Sequence, residues 1–171
     1  IVFIAAELMF FSGLISAFLV FRFSGEPWPP PFQPRLPIPL TALNTIILVF
    51  SSFTMWQTQK QIEKKGNFLS SFSLTIFLGI TFLLIQGYEW IKMLNFGLSA
   101  KSTPYGSTFY VIIGTHGAHV LGAVLWLLLL FLKILIKKPN KKTNPNLSIC
   151  AMYWHMVVGL WPILFILVYL I

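Results

Sequence analysis

The chain has 171 residues, of which 57% are hydrophobic and 9% charged, and its mean hydropathy is +0.81. So few charges could not solvate so much apolar surface, which excludes a soluble globular domain and defines an integral membrane protein. The formal net charge of +8 would suit a nucleic-acid binder, but most of the lysines fall in short loops between apolar runs, where they report membrane orientation.

Five apolar runs are long enough to cross a bilayer, given that a helix needs roughly 20 mainly apolar residues. They lie at about 1–23, 38–58, 68–94, 107–133 and 147–171. The expected architecture is therefore all-α, a single-domain bundle of five transmembrane helices. The first run is broken by Glu7 and offers Gly13 and Ala17 as a small-residue packing step. It begins without Met and already inside apolar sequence, which leads us to expect residues upstream, and no cleavable leader is evident. The turn that follows holds six of the chain's 11 prolines, between Pro27 and Pro37, together with Trp28, a natural interfacial anchor.

After the second run comes the basic loop 59–67, with Lys60, Lys64 and Lys65. The third run carries Glu89 near its exit, where pairing with Lys92 at i+3 is the plain expectation. The fourth run contains His116 and His119, and beside them Gly114, Ala118 and Gly122 at spacing four. Such a strip of small residues lets another helix approach closely, so this run is expected to be a packing spine. It ends at Lys133 and the loop 137–146, with Lys137, Lys138, Lys141 and Lys142. The fifth run contains Tyr153, Trp154, His155 and Trp161. The opposite side holds only Arg22, Arg35, Lys92 and Lys101, so loops 59–67 and 137–146 are expected on the cytoplasmic or matrix side.

Ionisable groups inside such runs are expensive and ask for partners. At about 1.5 Å rise per residue, His119 lies roughly 19 Å down the fourth run and His155 about 12 Å into the fifth. In a hydrocarbon core of about 30 Å, these depths match. Facing imidazoles on two helices are the pattern of a b-type haem with axial ligands, so a stand-alone cytochrome using His119 and His155 is one reading. The plainer one is a polar network of His116, His119 and His155 that sets helix registry, with Glu7 as partner. Hydrocarbon disfavours a bare carboxylate, so Glu7 should carry a proton and bond to a neighbouring helix, or serve as a proton-exchanging group. No third ligand accompanies the HxxH pair, and the single Cys150 excludes an internal disulfide, so no metal site is expected in this chain. The sequence has no nucleophile–base pair and no phosphate-cradling glycine loop.

Several separated motifs, in order, resemble subunit III of the haem-copper respiratory oxidases, cytochrome c and quinol oxidases alike. They are Glu7-Leu8-Met9-Phe10-Phe11-Ser12-Gly13, Trp28-Pro29-Pro30, Leu43-Asn44-Thr45, Tyr105-Gly106-Ser107-Thr108-Phe109, His116-Gly117-Ala118-His119-Val120, and Tyr153-Trp154-His155 with Trp161. The resemblance covers nearly the whole chain. It implies the five-helix form of a non-catalytic subunit that packs on subunit I, shares a complex with subunit II, holds phospholipid and supports proton uptake. That complex would take electrons from cytochrome c or quinol, reduce oxygen to water and pump protons, in a bacterial plasma membrane or mitochondrial inner membrane. Haems and copper would lie in the partner subunits, with no cofactor in this chain. Glu7 falls at the family's carbodiimide-reactive glutamate. Lys133 falls where many members have an arginine near a lipid phosphate, and keeps the charge without the bidentate geometry. Val158 stands where the family usually has an aspartate. A related reading is the subunit III-like protein associated with nitric oxide reductase.

Overall fold

A computed structural model describes residues 2–24, 37–64, 66–97, 104–136 and 143–170. The Pro-rich turn with Trp28 and the lysines at 65, 101, 137, 138, 141 and 142 lie outside the described residues, as does most of loop 137–146. Five helices are each long and apolar enough to cross a membrane. They are α1 (Val2–Arg22), α2 (Ile38–Glu63), α3 (Leu69–Asn95), α4 (Pro104–Ile136) and α5 (Thr143–Phe165), the last continued by a π-helical turn at Ile166–Leu170.

Local chemistry sets the ends. Pro39 opens α2, where a missing amide costs nothing, and the Thr41 amide bonds back to the Pro37 carbonyl. α2 runs past the expected end at Thr58 as far as Glu63, because Gln, Lys and Glu continue a helix well once it leaves the apolar layer. α3 stops at Gly97, whose φ of +89° needs a residue without Cβ and whose amide closes on the Leu94 carbonyl. In α5, Pro162 lacks the amide that would continue the ladder, and the turn beyond it widens into the π segment.

Helices α2 to α5 form a closed ring, α2 against α3, α3 against α4, α4 against α5 and α5 back against α2. Helix α1 lies outside this ring, touching α4 and α5, and buries only Phe11 and Phe18. The centre is filled by Trp154 and Trp161 of α5, both fully buried. Trp154 reaches across the ring to α3 at Gly79. A Cβ on Gly79 would stand 2.7 Å from the Trp154 ring and 2.9 Å from the Val124 side chain of α4. This close approach is the tight joint of the bundle.

The Gly114–Ala118–Gly122 strip lies elsewhere. Ala118 and Gly122 are exposed, and nothing stands within 4 Å of a Cβ on Gly122. Gly114, Gly117 and Ala118 instead line an open groove of about 410 Å³ between α3 and α4, walled by Leu83, Trp90 and Leu121. Gly114 is half-buried, with the Trp90 ring of α3 3.6 Å from where its Cβ would stand, while Ala118 and Gly122 turn outward, where a neighbour outside this chain could pack.

Candidate functional site

The best-defined polar contact joins α1 to α4. Glu7 Oε2 lies 2.8 Å from His119 Nε2, and the two side chains are 17% and 21% exposed. His119 Nδ1 is 2.7 Å from the Thr115 carbonyl, one turn back. A carbonyl only accepts, so Nδ1 carries a hydrogen and Nε2 is the atom whose proton is free to vary. The 2.8 Å contact is a hydrogen bond whose hydrogen can sit on either atom, the carboxyl donating to Nε2 or Nε2 donating to the carboxylate. Both forms use the same geometry. Phe11, one turn beyond Glu7, sets its ring edge-on to His119 at 5.2 Å and to His116 at 6.2 Å, and walls the pair off from the interior.

The three histidines do not form one network. His116 is fully buried, stacked on Trp161 at 5.0 Å with Phe82 edge-on, and neither ring nitrogen has a hydrogen-bond partner among the described residues. It packs as an aromatic ring. His155 turns to α2, where Gln59 Oε1 lies 3.4 Å from its Nε2 and the Ser52 hydroxyl meets Nδ1. An amide oxygen only accepts, so neutral His155 donates from Nε2 and accepts from Ser52 at Nδ1. His119 and His155, expected at matched depth, are engaged by α1 and α2 respectively. Among the described residues, no three His, Cys, Asp or Glu side chains group to hold a metal.

Glu89 departs from the expectation of an exposed partner for Lys92. It is 2% exposed and faces the interior, while Lys92 is exposed. Its Oε1 lies 2.9 Å from the Thr41 hydroxyl of α2, and its Oε2 accepts from Gln86 Nε2 at 3.1 Å. Gln86 Nε2 also reaches the Tyr169 hydroxyl at 3.4 Å, which the π turn brings inward. Thr45, one turn past Thr41, bonds to the Thr41 carbonyl and accepts from Trp161 Nε1 at 2.9 Å. The ends of α2, α3 and α5 are thus tied by one polar cluster. Its signal was in the sequence: Gln86 and Glu89 share a helical face, and Thr41, Asn44, Ser51, Thr54 and Thr58 form a polar stripe at spacings of three to seven, all buried.

Lys133, exposed near the end of α4, lines an open pocket of about 370 Å³ between α4 and α5 with Trp126, Leu129, Asn146 and Ile149. It combines a cation, an amide and an apolar floor. Val158 is buried at 3% exposure in the core of α5.

Among the described residues, five helices able to cross a membrane, with one glutamate–histidine pair between an outer helix and the ring, define a polytopic α-helical membrane protein. The sequence profile described as cytochrome c oxidase subunit III matches residues 1–171. Cytochrome c oxidase subunit 3 of Synechocystis sp. is 36% identical, over all of this chain and 73% of the relative. Cytochrome c oxidase subunit 3 of Corynebacterium diphtheriae is also 36% identical, over all of this chain and 85% of the relative. The probable quinol oxidase subunit 3 of Staphylococcus saprophyticus is 29% identical, over 99% of this chain and 86% of the relative. The chain belongs to the cytochrome c oxidase subunit III family.

Proposed function

We propose that this chain is the non-catalytic third subunit of a haem-copper terminal oxidase, which packs on subunit I beside subunit II and supports proton uptake through the Glu7–His119 pair. Membership of the family and relatives named for both cytochrome c and quinol oxidases support the complex, with either electron donor. The observation that carries this chain's own part is the 2.8 Å contact of Glu7 with His119. A proton arriving at Glu7 can stay on the carboxyl or pass to Nε2, and can return without any rearrangement of the backbone. Because the pair is part-exposed on the outer helix, it can exchange protons with a neighbouring subunit or with water at that surface. Haems and copper belong to the partner subunits in this reading.

Phospholipid is the second part of the role. The Lys133 pocket offers an ammonium and the Asn146 side chain at one end and the apolar faces of Trp126, Leu129 and Ile149 below, which suits an anionic head group with its acyl chain. The lysine-rich ends of α2 and α4 then face the cytoplasm or matrix.

The test is labelling with a hydrophobic carbodiimide, which reacts with a protonated carboxyl in an apolar setting. The wild-type assembly should be labelled at Glu7, and Glu7→Gln should abolish that labelled peptide and slow proton uptake during turnover. Unlabelled Glu7 together with unchanged proton uptake in Glu7→Gln would overturn the proposal.

A further inference from the structure

Glu7 is not the only carboxyl the fold takes away from water. Glu89 is more deeply buried, and its hydrogen-bond partners among the described residues, Thr41 and Gln86, are both neutral. A carboxylate with only neutral donors around it bears the desolvation penalty with no opposite charge to offset it. The direction of the hydrogen bonds then matters. Thr41 has one hydroxyl hydrogen, and the Pro37 carbonyl at 3.0 Å and Glu89 Oε1 at 2.9 Å both lie within its reach. The Pro37 carbonyl can only accept, so each contact has a hydrogen of its own, rather than a shared one, when Thr41 donates to Pro37 and Glu89 donates to Thr41. Glu89 Oε2 meanwhile accepts from Gln86.

We infer that Glu89 is a second proton-holding carboxyl of this subunit, a neutral acid that donates to Thr41 and ties α3 to α2 near the helix ends away from loop 59–67. Its proton stays on Oε1, and the chain Glu89 to Thr41 to Pro37 runs one way. The Tyr169 hydroxyl, held by Gln86, faces the cluster from α5, and the buried phenol of Tyr105 on α4 interacts with it. Lys92 lies one turn along α3 and points out. No step of the inference depends on the Glu7–His119 reading, so either can fail alone.

Infrared spectroscopy at neutral pH, on the assembly in which the chain purifies, tests it. Glu89→Gln should remove one band in the C=O stretching region of protonated carboxyls, with the carboxylate bands unchanged. The variant should assemble at wild-type yield, because a glutamine amide donates to Thr41 and accepts from Gln86 as the neutral acid does. Loss of a carboxylate band instead would overturn the inference. Should Glu89→Gln fail to assemble, Thr41→Val decides: removing the acceptor should shift the Glu89 C=O band to higher wavenumber, and an unshifted band overturns the proposal.

Discussion

Glu7 and His119 form the polar contact between α1 and α4, and single substitutions separate the roles of that contact. Glu7→Gln keeps an N–H donor for His119 Nε2 but cannot give up a proton, whereas Glu7→Ala leaves Nε2 without a partner. Losing a buried partner costs about 1–3 kcal/mol, so Glu7→Ala should lower the thermal midpoint of the assembly while Glu7→Gln leaves it close to wild type. A scan of both variants in the same detergent checks this, and equal midpoints would mean the contact adds no stability. His116 gives the opposite expectation. With neither ring nitrogen partnered among the described residues and an aromatic cage around it, His116→Phe should lose no hydrogen bond and cost only the fit of a larger ring, about 1–3 kcal/mol, read in the same thermal scan. Depth places a residue along a helix and leaves its azimuth open, and azimuth gives His119 to α1 and His155 to α2.

At the scale of elements, the bundle closes where α3, α4 and α5 meet at Gly79. A methyl there would overlap the Trp154 ring and Val124, so Gly79→Ala should destabilise the assembly by about 1–3 kcal/mol, while Gly122→Ala should be neutral. Thermal melts of the two variants read the difference directly. Gly79 was not visible in advance, since a lone glycine in an apolar run carries no spacing signal. The Gly114–Ala118–Gly122 strip has that signal and lies on the outer face of the groove between α3 and α4. The periodicity of small residues marks a smooth face without saying what lies against it. Ala118→Leu should therefore leave the chain's own ring intact and reduce co-purification of a neighbour seated in the groove. Unchanged co-purification would show that the groove faces lipid.

On the scale of the whole molecule, the number and type of elements were legible because the bilayer sets a length and a composition for every crossing helix, and loops between them are short. Helix ends were less so: α2 runs beyond the apolar layer on Gln, Lys and Glu, which hydropathy alone cannot follow, and α4 extends three residues past each expected bound. Burial of Glu89 was missed for a related reason. A carboxylate near a helix exit looks interfacial until the polar stripe of α2 is laid against it. Helix α1 is the outermost element, with 11% of its apolar window buried against 50% for α5, and it carries Glu7. Its carboxyl nevertheless turns inward, to His119 of α4. The central claim, a cofactor-free subunit of a haem-copper oxidase, is tested most directly by isolating the chain under mild conditions and recording which polypeptides and haems accompany it. The account predicts a haem- and copper-bearing partner in the intact assembly and no Soret band in this chain once it is separated. A Soret band retained by the separated chain, or an assembly without a haem-copper partner, would contradict it.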